Sequence, residues 1–208
     1  GLWRTTGKKI LHIDLESSAD ELGGFIHRAR SLVEFRATVS SLRSKCSYEG
    51  VAIDTLDILN AWCEEETCME LKQKAMGEAE GYGSDWARAR GKVMDLVRSL
   101  QMLDKFLILL VHTKVEKGAF AGVNIAVPQG LGIAVRGFSQ VIGYLYALEM
   151  GGEVKRVLSF TPSDNTIAGS RYPELNNQAV YIQLQDKDKD GRGYADWRPV
   201  FKLFGENL

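Results

Sequence analysis

The sequence contains no hydrophobic run long enough to cross a membrane. Its longest run, residues 106–111, is far shorter than the roughly 20 residues that a spanning helix needs. The three cysteines, Cys46, Cys63 and Cys68, are odd in number and lack C-x-x-C spacing, which argues against a disulfide scaffold or a zinc site. Reduced thiols and no secretory signal pattern favour a cytoplasmic protein that has no membrane partner.

The sequence also lacks an excess of charge of either sign. It has 26 Lys and Arg against 27 Asp and Glu, and its formal net charge is −1. Bulk charge therefore does not mark a nucleic-acid binder, and any such binding must come from a local basic segment. The 208 residues, of which 45% are hydrophobic and 25% charged, are typical of one sizeable globular α/β domain.

Hydrophobic periodicity predicts strands that alternate with helices over the first half of the chain. The predicted strands are almost continuously apolar, which is typical of central strands buried on both faces of a sheet. Their alternation with helices predicts a mostly parallel sheet. The predicted strands are residues 9–15, 25–30, 51–53 and 106–111, and the predicted helices are residues 31–45, 55–74 and 84–103.

All three helices have a predicted inner face, which on the second includes Leu59 and Trp62. The first begins with a capping box, in which Ser31 and Glu34 would satisfy free amide donors at the helix start. Its predicted inner residues are Leu32, Val33, Phe35, Val39 and Leu42. Those of the third helix are Trp86, Val93, Leu96, Val97, Leu100 and Leu103.

The second half of the chain is richer in glycine and in short segments. Residues 115–130 form a small-residue stretch that is too long for an ordinary connection, which indicates a functional loop. A helix at residues 131–138, strands at 141–148 and 154–160, and a hairpin of strands 179–185 and 197–204 are predicted after it.

The tip of that hairpin resembles half of a calcium-binding loop. Asp186, Asp188 and Asp190 have the spacing of an EF-hand. The twelfth position, where a bidentate glutamate belongs, is Trp197, and the flanking segments are predicted strands rather than helices. A solvated hairpin tip is therefore the favoured interpretation.

Polar residues follow three of the apolar strands. Glu16 comes after the first strand, Asp54 and Thr55 follow the strand at residues 51–53, and His112 follows the strand at 106–111. If the strands are parallel, these ends share one edge of the sheet, where open α/β sheets bind ligands. Asp54 could hold Mg²⁺, Glu16 could orient or deprotonate water, and His112 could sense a phosphate. Alternatively, the acids cap helices and His112 is a core histidine.

The strand ends, taken in order, resemble the RecA-type ATPase core. They read Ile13-Asp14-Leu15-Glu16, then Val-Ala-Ile-Asp-Thr-Leu, then Leu-Val-His-Thr-Lys before a long loop. More closely, the chain resembles small phage-encoded RecA-core ATPases associated with single-strand annealing and recombination. Residues 81–90, 157–164 and 169–175 are similar to segments of those proteins.

The resemblance implies a fold and a domain organisation. The fold would be a three-layer α/β RecA-like P-loop NTPase with a mostly parallel central sheet. Residues 1–178 would form the ATPase core without its first strand and P-loop. Residues 179–208 would form a C-terminal β-hairpin extension packed on that core.

The resemblance also implies roles for several residues in ATP binding. Glu16 matches the glutamate that activates water, and His112 falls where the family couples the γ-phosphate to the following loop. Asp54 matches the Walker B acid that serves Mg²⁺, and Thr55 beside it would belong to the ATP site. Arg171 would reach the nucleotide of a neighbouring subunit.

A nucleic-acid contact follows from the same resemblance. Residues 115–130 would be the flexible DNA-contacting loop. Lys114, Lys117 and Phe120 would supply the basic and aromatic contacts that single-stranded DNA requires.

The chain departs from the family in one respect, because no stretch matches the P-loop pattern G-x-x-x-x-G-K-[ST]. The nearest, between Gly1 and Lys9, has one residue too many between its glycines and runs directly into the first predicted strand. The P-loop would then lie upstream of Gly1, be supplied by another polypeptide, or have been lost.

Three functions therefore remain open from the sequence. The first is a phage-type RecA-like ATPase that binds ATP, Mg²⁺ and single-stranded DNA. It would act in recombination or annealing as a homo-oligomeric ring or filament in the host cytoplasm. The second is a non-hydrolysing RecA-fold module for DNA binding or assembly. The third is an unrelated α/β enzyme that uses Glu16, Asp54 and His112 on another phosphorylated substrate.

Overall fold

A computed structural model describes the chain at residues 7–18, 24–78, 81, 83–116, 122–163, 166–182, 184–185 and 194–203. The chain forms two compact units. One spans Lys9–His112, and the other comprises Thr113–Leu208 with Gly1–Lys8. The predicted division at residue 178 concerns the extent of the RecA-like region and stays a prediction. The calcium-like segment at residues 186–190 lies outside the described residues.

The first unit is built on a parallel four-stranded sheet. Its strands are paired in the order β2-β1-β3-β4, and every neighbouring pair is parallel. The predicted α/β architecture with a parallel sheet is confirmed for this part of the chain. The strands are β1 (Ile10–Asp14), β2 (Phe25–Arg28), β3 (Gly50–Asp54) and β4 (Phe106–Leu109).

Strand β3 is central and buried, as its apolar sequence predicts. Val51, Ala52 and Ile53 are all buried, and neighbouring strands flank β3 on both sides. Gly50 permits this close packing. A Cβ atom at Gly50 would lie 2.7 Å from Cδ1 of Ile10 and 2.9 Å from Cβ of Phe106, which is closer than side chains tolerate.

Strand β4 differs from its prediction as a fully buried strand. It ends at Leu109, the side chain of Phe106 is 48% exposed, and Leu110 after the strand is also exposed. Among the described residues, β4 pairs with β3 alone and forms one edge of the sheet. An apolar run indicates that a strand can be buried, but it does not distinguish a central strand from one at the edge of a sheet.

Three helices connect these strands or pack beside them. They are α1 (Leu32–Ser44), α2 (Leu56–Leu71) and α3 (Ser84–Gln101). The predicted cap of α1 is confirmed, since the Ser31 hydroxyl accepts the N–H of Glu34 at 3.2 Å. The Glu34 carboxylate accepts the N–H of Arg30 at 2.7 Å, one residue before the cap.

The inner faces of α1 and α3 are narrower than predicted. Leu32, Phe35, Val39 and Leu42 are buried, but the side chain of Val33 is 73% exposed. Trp86 at the start of α3 is also exposed, whereas Val93, Val97 and Leu100 are buried. The predicted inner position is wrong for Val33 and Trp86. Both lie beside the buried stripe rather than on it.

An ion-pair network links the three helices. Glu66 of α2 accepts hydrogen bonds from Nη2 of Arg36 on α1 at 2.8 Å and from Nζ of Lys92 on α3 at 2.7 Å. Lys92 also lies 2.8 Å from Glu70. The hydrogen bond from Arg36 outweighs burial and, with the one from Lys92, lowers the pKa of Glu66 to about 2.

This network predicts an acid-sensitive contribution to stability. Because the folded pKa of Glu66 is depressed from its ordinary 4.5, the contribution is present above pH 4.5 and is lost as the pH falls through about 2. We expect Glu66→Gln to remove about 1–2 kcal/mol of it, since solvent partly screens the pair. Urea unfolding at pH 3 and pH 6 measures this. The same change at the exposed Glu65 is the control, and equal effects of the two variants would contradict the prediction.

The second unit contains short antiparallel pairs and one larger sheet. That sheet has the order β11-β9-β8, and the pairing of β8 with β9 confirms the predicted strands around the turn at Gly151 and Gly152. A 3₁₀ helix spans Pro173–Leu175. The other elements of this region are β5 (Thr113–Glu116), β6 (Gly122–Ile125), α4 (Gln129–Phe138), β7 (Val141–Ile142), β8 (Tyr144–Met150), β9 (Glu153–Ser159), β10 (Gly169–Ser170) and β11 (Ala179–Ile182).

The predicted loop at residues 115–130 is partly replaced by regular structure. Strands β5 and β6 form an antiparallel pair, and α4 begins at Gln129. The prediction of an irregular loop throughout this stretch is therefore wrong, because the backbone groups of residues 113–116 and 122–125 pair across two strands. Lys114 lies in β5, whereas Lys117 and Phe120 lie outside the described residues.

The end of the chain differs from the predicted hairpin. Strands β12 (Leu184–Gln185) and β13 (Tyr194–Ala195) pair, but the predicted strand at 197–204 is wrong, since Arg198–Leu203 is a helix, α5. Trp197, Val200 and Leu203 recur at helical spacing and pack on a cluster of Phe160, Leu175 and Ile182. The hairpin extension and the three-layer arrangement stay predictions. Within the described residues, no helix is both long and apolar enough to span a membrane.

Candidate functional site

Three strand ends bring polar residues to one edge of the parallel sheet. The register pairs Asp14 at the end of β1 with Asp54 at the end of β3. Beyond these ends, the chain continues into Glu16, into Thr55 and α2, and into the segment that ends at His112. All of these residues lie in the unit Lys9–His112, so the site is formed within one compact body.

Glu16 is the centre of this group. Its Oε1 atom accepts a hydrogen bond from the Thr55 hydroxyl at 2.9 Å and lies 3.4 Å from Nδ1 of His112. The structure thus brings Glu16, Thr55 and His112 together, as parallel strands require. Their chemical roles stay predictions.

The position of Glu16 depends on the buried Asp14. The Asp14 side chain is completely buried, and its Oδ1 atom accepts the N–H groups of Glu16 at 3.1 Å and Ser18 at 3.3 Å. Between them, Ser17 has a φ of 58°, in the left-handed region. This is the local turn that Asp favours by bonding to backbone a few residues ahead, and it fixes where the Glu16 side chain begins.

Asp57 belongs to the site although sequence reasoning did not identify it. Its Oδ1 atom accepts the backbone N–H of His112 at 3.1 Å, and its Oδ2 atom lies 2.9 Å from Nδ1 of the same histidine. Two contacts to one residue fix both the backbone and the ring of His112. The only signal in the sequence was an acid in the first turn of α2, where carboxylates are common for helix-dipole reasons alone.

The pairing of Asp57 with His112 shifts both pKa values. The hydrogen bond that the His112 ring donates to Asp57, together with the negative charge of Asp57, raises the pKa of His112 above its ordinary 6.5, despite an opposing effect of burial. Burial raises the pKa of Asp57, but the hydrogen bonds from the His112 ring and backbone outweigh it and bring the pKa below 3.8. The ion pair is therefore formed across the intervening pH range.

We expect Asp57→Asn to lower the pKa of His112 towards 6.5. The raised pKa means that this pair stabilises the fold fully just below pH 6.5, and that the contribution is lost as the pH rises through the folded pKa of His112 or falls through that of Asp57. An NMR titration of the histidine ring signals measures the shift. His27, which contacts Thr38 instead, is the internal reference. An unchanged His112 titration in the variant would contradict the assigned contact.

The carboxylate of Asp54 pairs with a histidine of β1, whereas Thr55 and His112 contact Glu16. Its Oδ2 atom lies 2.8 Å from Nε2 of His12, and both side chains are largely buried. The Asp54–Thr55 peptide bond is cis. His12 was not identified from the sequence, where its signal was one histidine within an otherwise apolar strand. Asp54 therefore lies at the predicted edge with its carboxylate paired to β1.

The remaining predicted residues lie in the second unit or outside the description. Arg171 is exposed, and its Nη2 atom donates to the carbonyl of Gly137 at 2.5 Å. Lys114 is exposed on β5. These positions test neither the nucleotide contact predicted for Arg171 nor the DNA contact predicted for Lys114, Lys117 and Phe120.

The arrangement can support proton transfer and oxygen coordination. The Glu16 carboxylate can accept a proton from water, and the adjacent charged imidazole of His112 can stabilise negative charge. Asp54 and the hydroxyl of Thr55 offer oxygen atoms, the ligand type that Mg²⁺ prefers. Phosphoryl-transfer reactions use groups of both kinds.

One comparison with known proteins identifies a family. A family model described as an AAA domain matches residues 2–172, which include every site residue discussed above. None of the curated proteins compared with the chain matches it.

Proposed function

Because the chain belongs to the AAA-domain family, we propose that it is an ATPase in which Glu16 activates the attacking water. Family membership implies a nucleotide-binding, ATPase-like domain of the P-loop class. The observation that carries the proposal is the convergence of Glu16, Thr55 and His112 from three separate strand ends. Such convergence is what a reaction at the carboxyl edge of a parallel sheet requires.

Mg²⁺ is the usual partner of nucleotide in this class, and the residues present fit it. Asp54 would hold the ion directly or through water, beside the hydroxyl of Thr55. When bound, Mg²⁺ would neutralise charge on the phosphates. Asp54 is paired with His12 at 2.8 Å, so its carboxylate is already fixed in direction at the end of β3.

The protein's own residues would carry out proton transfer, charge stabilisation and orientation of the base. Glu16 would accept the proton of the attacking water through its carboxylate. His112, which Asp57 holds by two contacts, would keep a positive charge 3.4 Å from Glu16. Thr55 would orient the Glu16 carboxylate through its hydroxyl. Each role needs a fixed side chain, and each of these side chains has a partner that fixes it.

The resemblance to phage RecA-core ATPases supports a more specific proposal. The protein would bind single-stranded DNA and act in recombination or annealing as a homo-oligomeric ring or filament. Lys114, Lys117 and Phe120 would contact the DNA, and Arg171 would complete the nucleotide site of a neighbouring subunit.

A second candidate is a non-hydrolysing module that binds DNA or mediates assembly. The observation that favours it is the pairing of Asp54 with His12, which occupies one oxygen of the acid expected to serve Mg²⁺. In this case nucleotide would promote assembly without being turned over.

The experiment is ATP turnover by the protein purified at its natural length, whose intact mass is measured first. Turnover is recorded with and without a single-stranded oligonucleotide, and assembly is followed by light scattering. Turnover that DNA stimulates is the expected result. ATP-dependent assembly without turnover would favour the second candidate. Turnover with neither DNA stimulation nor assembly would contradict the DNA-linked role and leave an ATPase that acts on another partner.

A further inference from the structure

We propose that Glu16, Asp57 and His112 form a binding site for a transition-metal cation such as Zn²⁺. Each residue offers one ligand atom, and these atoms all lie within 4.8 Å of one another. The site differs from the magnesium position proposed at Asp54, which pairs with His12 instead. It does not depend on the proposed ATPase activity.

The donor set selects the class of metal. One imidazole nitrogen and two carboxylate oxygens suit zinc and related first-row cations, whereas Mg²⁺ prefers oxygen ligands alone. Bonds of about 2.0–2.2 Å place tetrahedral ligand atoms roughly 3.3–3.6 Å apart. Nδ1 of His112 lies 2.9 Å from Oδ2 of Asp57 and 3.4 Å from Oε1 of Glu16. Both separations that involve His112 are therefore within about 0.5 Å of that spacing before any ion binds, and the third lies within 4.8 Å.

Groups around the ligands hold them in place. The Thr55 hydroxyl donates to Oε1 of Glu16, and the backbone N–H of His112 donates to Oδ1 of Asp57. Such outer contacts orient metal ligands and are a regular part of metal sites. The three ligands come from the turn after β1, the first turn of α2 and the segment after β4, so the folded sheet edge is needed to assemble them.

The site is accessible from solvent. The side chain of His112 is 58% exposed, whereas those of Asp57 and Glu16 are mostly buried. An ion can therefore enter on the histidine side, with water as a fourth ligand, as in catalytic zinc sites that have three protein ligands. The proton shared by His112 and Asp57 is released to solvent when the ion takes its place.

One consequence rests on the proposed function. An ion bound to Oε1 of Glu16 would compete with the proton that this carboxylate must accept from water. Zn²⁺ would then inhibit ATP turnover that Mg²⁺ supports. Inhibition would be relieved by a chelator, because the ligands return to the arrangement described above.

The test is a Co²⁺ titration of the full chain, followed by its visible d–d absorption and reversed by Zn²⁺. We expect one equivalent to bind, and His112→Ala or Asp57→Asn to weaken binding at least about 10-fold. The controls are His27→Ala on the exposed end of β2 and His12→Ala in the other histidine–carboxylate pair. Both controls should bind Co²⁺ as the unmodified protein does.

Several results would overturn the proposal. These are absence of Co²⁺ binding by the folded protein, binding unchanged in His112→Ala, and binding lost in His12→Ala but not in His112→Ala. Circular dichroism without metal checks that each variant is folded. ATP turnover does not enter this measurement. A protein that binds Co²⁺ but never hydrolyses ATP would overturn the proposed function and leave the metal site standing.

Discussion

Glu16→Gln is expected to lower the kcat of ATP hydrolysis at least about 100-fold, the usual contribution of a general base. The glutamine oxygen can still accept the hydrogen bond that the Thr55 hydroxyl donates to Glu16 at 2.9 Å. The substituted side chain has nearly the same shape, but it cannot take a proton from water. The loss should therefore fall on kcat, with nucleotide binding retained.

The matched control is Glu65→Gln on the exposed face of α2. It makes the same chemical change in the same unit, away from the strand ends, and should leave turnover unchanged. Steady-state turnover gives kcat, and a fluorescent nucleotide gives binding. If Glu16→Gln turned ATP over at the rate of the unmodified protein, Glu16 would not be the base.

Phe35→Ala is expected to cost about 3–5 kcal/mol of unfolding free energy. Phe35 is completely buried on α1, so its removal loses apolar burial and leaves a cavity. Urea or thermal unfolding of the purified chain measures the change. An effect this large is a substantial part of the stability of a typical domain.

Val33→Ala is the control for that prediction. Val33 lies two residues earlier on the same helix, and hydrophobic periodicity assigns both residues to the inner face, yet the side chain of Val33 is 73% exposed. We expect its replacement to change stability by no more than about 0.5 kcal/mol. Equal costs at the two positions would mean that α1 is rotated from the orientation described.

The parallel sheet was predictable because its information is local. An apolar run such as Val51–Ala52–Ile53, followed by an acid and then a helix, indicates a strand that is connected to the next strand through a helix. Strands connected in this way run parallel in the sheet. Because parallel strands end at the same edge of a sheet, Glu16, Thr55 and His112 are expected at that edge, and the structure brings them together there. Parallel pairing converts separate strand ends into one site.

Two partners in the site were missed because they depend on contacts between distant parts of the chain. Asp57 and His112 are 55 residues apart, and His12 and Asp54 are 42 apart. From the sequence alone, Asp57 cannot be distinguished from an acid that stabilises a helix start. His12 likewise cannot be distinguished from any polar residue in a strand. Which carboxylate meets which histidine is decided by register and rotamer, and neither is encoded by spacing.

Predictions for the second half of the chain were wrong for a different reason. A short apolar segment such as the one around Val200 fits a strand or one turn of helix, and only packing on the cluster of Phe160, Leu175 and Ile182 decides. The composition after Thr113 indicated a loop, but β5 and β6 pair there through their backbone groups, which every residue type carries. Composition does not record such pairing.

The buried carboxylate of Asp14 has a consequence for how this corner of the protein can vary. It shapes the turn through the backbone of residues 16 and 18, so the geometry of the turn does not depend on the side chain at position 16. The shape of the turn and the side chain that the turn presents are thus set by different residues. Exchanges at position 16 should leave the native turn in place, so a variant at this position reports on the Glu16 side chain alone. Exchanges at Asp14 would instead displace whichever residue stands at 16.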